Sequence, residues 1–249
     1  MRYNITMKHA SISGNVLFII LVAIGLFAAL AAAVMNSEGG GKNAGSERAA
    51  LYANDIALFA GSVEQAVGRM FARGISESDL CFDLDGATGG DTRYEGPAGC
   101  ATIANRVFHP QGGGISYQAP SDRYLDPSFS SFRFYGEYLI TDQTSISHVP
   151  PNGSSSTTEL MILLPYVTKE ICIALNDMVT DWPKGIDPYL DSATSIENRD
   201  NYRYQGTFIY ARVISNSTYF DRVTRGCYRQ GSGQWPNNAY IAYFTLRAR

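Results

Sequence analysis

The chain predicts an α+β protein: an N-terminal transmembrane helix, then a long amphipathic helix packed on a mainly antiparallel β-sheet. Three observations carry that expectation. From Val16 to Met35 the chain runs for twenty uncharged, almost wholly apolar residues. Between Tyr52 and Met70 apolar residues recur at three- and four-residue steps. Beyond Gly74 the pattern changes to short β-branched and aromatic runs separated by Gly-, Pro- and Ser-rich stretches.

With 249 residues, 45% hydrophobic and only 17% charged, the composition is that of a folding, aromatic-rich chain able to bury a sizeable core. The net charge of -3 gives no basic footprint for nucleic acid. Arg2 and Lys8 stand before the apolar run and Glu38 is the first charge after it. The positive-inside bias therefore predicts residues 1–14 in the cytoplasm, a span over 15–36 at the bacterial inner membrane, and everything beyond it in the periplasm. The alternative is a cleaved secretory signal, for which Ala31 and Ala33 supply a small-x-small cleavage pattern and which leaves a soluble domain.

Residues 37–45 hold four glycines, each costing about 1 kcal/mol in a helix interior, and predict a hinge. Ser46 is a candidate N-cap. Tyr52, Ile56, Phe59, Val63, Val67 and Met70 form one apolar stripe on a helix expected over Ser46 to Arg73, with Gly74 as its stop. Expected strands are Phe132 to Ile140, Glu159 to Leu164, Tyr204 to Ile214 and Ala239 to Arg247, with a second helix over Val167 to Val179. The exported domain is thus expected over 46–249.

The border Lys8-His9-Ala10-Ser11-Ile12-Ser13-Gly14-Asn15-Val16-Leu17-Phe18, a charged leader ending in Gly before an apolar run, resembles a type IV prepilin. The resemblance implies cleavage between Gly14 and Asn15 by a prepilin peptidase, methylation of the new N-terminus, and a helix that stays attached and assembles with other pilin-like subunits. Mature position five is Ile19, where major pilins carry a Glu that pairs with a neighbour's N-terminal amine. A subunit lacking that acid suits a place with no subunit above it, so the resemblance implies a minor pilin or pseudopilin. Its activity is then polymerisation or priming of a pilus or secretion filament.

Four cysteines in an exported domain predict disulfides, with three connectivities open. Sequence neighbours suggest Cys81 with Cys100 and Cys172 with Cys227, worth roughly 3 and 4 kcal/mol of loop entropy. The resemblance implies the second as a C-terminal loop displayed on the filament.

No catalytic motif is present, and His9, His109 and His148 lie far apart; Asn105 with His109 and Asp142 with His148 are only chance-level pairs, so no enzyme and no resident cofactor are expected. Asp83, Asp85 and Asp91, in a Gly-rich loop, offer hard oxygens to Ca²⁺, although solvated turns use the same residues and the loop lacks the EF-hand pattern. The second function class is a membrane-anchored or secreted periplasmic binding module that does not polymerise. Processing at Gly14 separates the two.

Overall fold

A computed structural model describes residues 16–35, 40–83, 98–146, 158–179, 182–191, 202–209, 212–214, 223–231 and 236–248. The chain divides into two compact units, Met1–Gly45 and Ser46–Arg249.

In the first unit, α1 runs Val16–Met35. Among the described residues no helix is long and apolar enough to cross a membrane, which corrects the expected transmembrane element. The expected hinge also differs, since α2 spans Gly40–Ala72 and so begins inside the glycine-rich stretch. Once a helix is nucleated, each added residue gains a hydrogen bond, and propagation reaches poor helix formers.

In the second unit, α2 buries Ile56, Val63, Val67 and Met70 completely and Phe59 nearly so. A glycine stop ends it. Gly74 has φ +84°, the Gly74 amide donates to the Phe71 carbonyl at 2.9 Å, and the Ile75 amide donates to the Met70 carbonyl at 3.2 Å. The strands are β1 (Leu139–Ile146), β2 (Glu159–Val167), β3 (Leu190–Asp191), β4 (Arg212–Ile214), β5 (Arg225–Gln230) and β6 (Tyr240–Arg247), with α3 (Lys169–Asp177) after β2. They form one sheet in the order β3-β5-β6-β2-β1-β4.

The inner pairs β5–β6, β6–β2 and β2–β1 are antiparallel, while both edges, β3–β5 and β1–β4, are parallel. The sheet is therefore mixed, and the mainly antiparallel, pilin-like fold class expected from the sequence is corrected on this point as well. The cause is connectivity: β3 and β4 arrive from outside consecutive hairpins and dock alongside strands running the same way.

β2 is buried along its whole length. Leu160, Ile162 and Leu164 join α2, Ile171 and Leu175 on one face, while Met161 and Leu163 join Trp182, Tyr202, Tyr228 and Tyr243 on the other. A strand buried on both sides reads as a continuous apolar run, as Leu160-Met161-Ile162-Leu163-Leu164 does. Helices cover the first face; irregular aromatic segments cover the second. Pro165 is tolerated in this central strand because the β2–β6 register shifts between Pro165 and Val167, where Tyr166 takes φ +64°.

Two expected strands are mostly absent. Within Phe132 to Ile140 only Leu139 and Ile140 are paired, since Phe134 and Gly136 both adopt positive φ and fold the aromatic run into turns. Within Tyr204 to Ile214 only Arg212–Ile214 is a strand among the described residues. Gly206 and Phe208 again have positive φ, and the buried Asp142 carboxylate accepts the amides of Gln205, Thr207 and Phe208. A carboxylate that takes three amides replaces the ladder that a strand would need. The second helix is shorter than expected, because Val167 completes β2 and the Thr168 side chain caps Lys169–Asp177 by accepting the Ile171 amide.

Candidate functional site

Two surfaces are candidates, one in each unit. Along α1, Phe18, Ile19, Ile20, Leu21, Val22 and Ile24 are all exposed, and Leu26, Phe27 and Leu30 reach 67%, 75% and 64% exposure. Exposed apolar surface on every side of a helix is an unsatisfied contact surface, since burial yields about 25 cal/mol per Å².

The second surface is a groove of about 680 Å³ on the outer side of α2, lined there by Asp55, Leu58, Phe59 and Ser62. Its far wall is the run from Ile115 to Tyr124, and both ends of that run are fixed. At the first end, the Arg69 side chain donates to the Gly113 carbonyl at 2.9 Å and the Arg73 guanidinium to the Gly112 carbonyl. Gly112 and Gly113 are required there, because a Cβ would lie 1.8 Å from the Arg106 oxygen and 2.3 Å from the Val107 oxygen. At the second end, the Thr168 amide donates to the Tyr124 carbonyl at 2.9 Å and Leu125 bridges to Val167.

The floor is aromatic. Phe59 and Tyr138 lie 4.5 Å apart between centroids, and Tyr117 meets both rings edge-on. Tyr124 leans on Tyr52 at 5.3 Å and its hydroxyl donates to the Asp55 carboxylate at 3.3 Å. Burial raises both the Tyr124 and the Tyr138 phenol, and the Asp55 charge adds to each shift. Both phenols therefore stay neutral.

No protein-family model, curated protein or solved structure matches this chain. What it does must be argued from its own residues.

The sequence-predicted residues fall as follows. Gly14 and Asn15 lie outside the described residues, as do Asp85, Asp91 and His148. Asp83 is described and stands just after Cys81; among the described residues no cluster of three metal-ligating side chains occurs. Cys81 is bonded to Cys100 and Cys172 to Cys227, with Cα separations of 4.9 and 5.2 Å. His109 organises a turn: its Nδ1 accepts the Gln111 amide and its carbonyl accepts the amides of Gly112 and Gly114. Asn105 accepts the Cys81 amide through its carbonyl, and Asp142 serves the amide nest already described. The groove was missed by the sequence reading. Its signal was Asp55, Leu58 and Ser62 at helical spacing on the flank of the buried stripe, where Leu58 has no core to fill.

Proposed function

We propose that the chain is a structural subunit of a type IV pilus or pseudopilus-like filament, in a minor or priming position, that assembles through the apolar surface of α1. The observation that carries this reading is the continuous exposure of Phe18 to Leu30, an apolar surface that association would bury. Two features add support. Gly14 precedes Asn15 at the border of the apolar run, the pattern by which the chain resembles a prepilin. Two disulfides in the unit that follows suit an oxidising compartment outside the cytoplasm. Ile19 in place of an acid suits a position with no subunit above it, because an amine buried without a partner is costly in an apolar environment.

The test is single-cysteine cross-linking across Phe18 to Leu30 in cell envelopes, combined with N-terminal sequencing of the extracted chain. Expected are cross-linked multimers that peak every three to four positions, and a mature start at Asn15 that Gly14→Val abolishes. Monomers at every position, with Met1 intact, would instead identify a binding module that does not polymerise. A start near Asn36 would mean signal cleavage and would remove α1 from the functional protein.

A further inference from the structure

We propose that the groove between α2 and the Ile115–Tyr124 wall is a recognition site for an organic cation carrying an apolar stem, in the form of a lysine side chain. The cavity, at about 680 Å³, lies within the usual size of small-ligand sites and is far larger than a single water requires. It also has a polarity that selects among ligands. Among the described residues Asp55 is the one charged side chain that lines it, and no lysine, arginine or histidine does.

Among the described residues Glu77, Glu137 and Asp187 stand in ion pairs, whereas the Asp55 carboxylate has the Tyr124 hydroxyl as its hydrogen-bond partner, at a long 3.3 Å. A neutral donor at that distance leaves most of the acceptor capacity of a carboxylate open. An ammonium placed there gains a charge-assisted hydrogen bond and lies beside the Tyr124 ring, whose π face attracts cations.

The stem of the ligand has its own place. Leu58, 72% exposed, stands one turn from Asp55 on the groove side of α2, and Phe59 and Tyr138 floor the cavity between them and the wall. Four methylenes reaching an ammonium match an apolar rim that ends in a carboxylate. The wall adds neutral polar groups at Ser116 and Gln118 and no backbone pairing of its own: among the described residues Ile115, Ser116, Gln118 and Ala119 make no backbone hydrogen bond. The main chain flanking a bound lysine therefore has donors and acceptors within the same groove. A neutral sugar could also use aromatic and polar groups, but both floor rings are more than 90% buried and leave no open stacking platform.

This site lies wholly in the second unit and does not depend on assembly through α1. The test uses the full chain in detergent, titrated calorimetrically with Nα-acetyl-lysine methylamide and, separately, with its uncharged isostere Nα-acetyl-norleucine methylamide. The lysine probe is expected to bind, to weaken as salt rises, and to lose tenfold or more in affinity in Asp55→Asn; the isostere is expected to give no heat. Leu58→Lys, at an exposed position, should abolish binding by placing a competing ammonium at the rim, with an unchanged thermal midpoint showing that the fold is intact. Equal binding of the two probes, an affinity indifferent to Asp55→Asn, competition by methyl glucoside, or no heat from the lysine probe would each overturn the assignment.

Discussion

At the scale of single residues, the polar groups inside this protein are placed by partners far away in sequence. Arg203 pairs with Glu137 at 2.6 Å with both side chains nearly buried, and the guanidinium stacks 4.8 Å over the Phe134 ring. Removing either partner would leave a buried charge, which typically costs about 3–5 kcal/mol. None of this was legible, because a 66-residue separation carries no periodic signal. The buried tyrosines lead to a pH prediction. Tyr138, Tyr166 and Tyr204 all have phenols raised above the ordinary 10.0, in each case first by burial, with Asp142 adding at Tyr204. Above pH 10 the unfolded chain releases these protons while the folded chain retains them, so stability is complete below pH 10 and falls as pH rises beyond it. Titration at 295 nm with parallel circular dichroism should show these phenolates forming only together with loss of structure. Smooth ionisation of every tyrosine near pH 10, with the fold intact, would contradict the burial assigned to them.

Elements are where the sequence was most informative, and the reasons are physical. The stripe from Tyr52 to Met70 is legible because a helix packed along one side must repeat its apolar residues at its own period. The run Glu159 to Leu164 is legible because a strand buried on both faces is apolar throughout. The aromatic run Phe132 to Ile140 misleads for a related reason, since its rings cover the second sheet face from turns instead of from a ladder. β5 escaped notice because Arg225-Gly226-Cys227-Tyr228-Arg229-Gln230 has neither alternation nor a long apolar run. Its outer edge explains why such a strand is stable. β3 pairs only with Arg229 and Gln230, and closer to the start of β5 the pairing is continued by a side chain. Asn176 of α3 accepts the Cys227 amide at 2.7 Å and donates to the Cys227 carbonyl at 2.9 Å, standing in for a strand residue beside the Cys172–Cys227 disulfide. Asn176→Ala should therefore cost about 2–4 kcal/mol, since two buried backbone groups lose their partner together. Denaturant unfolding of the oxidised protein would measure it, with an unchanged m-value locating the loss in the folded state. A change below about 0.5 kcal/mol would mean that the disulfide alone holds α3 on β5.

At the scale of the whole molecule, the two units differ in what stabilises them. The buried core of the second unit begins at Ala49 and continues through both faces of the sheet to Leu246, and both disulfides close within it. In the first unit the described side chains from Phe18 to Leu30 are exposed. A fragment beginning at Ser46 keeps every described buried residue and both cross-links, and loses α1 and the start of α2, where three glycines within six residues weaken the helix by about 1 kcal/mol each relative to alanine. The fragment 46–249 should therefore fold without detergent and unfold cooperatively, with a thermal midpoint within a few degrees of the full chain. It should also sediment as a monomer at concentrations where the full chain associates, because the apolar surface of α1 proposed for assembly is gone. A fragment that aggregates or melts gradually would show that α1 contributes to the stability of the second unit. A folded fragment that still assembles would move the assembly surface from α1 to the second unit, where the exposed Leu51 and Leu58 of α2 would be the first positions to change.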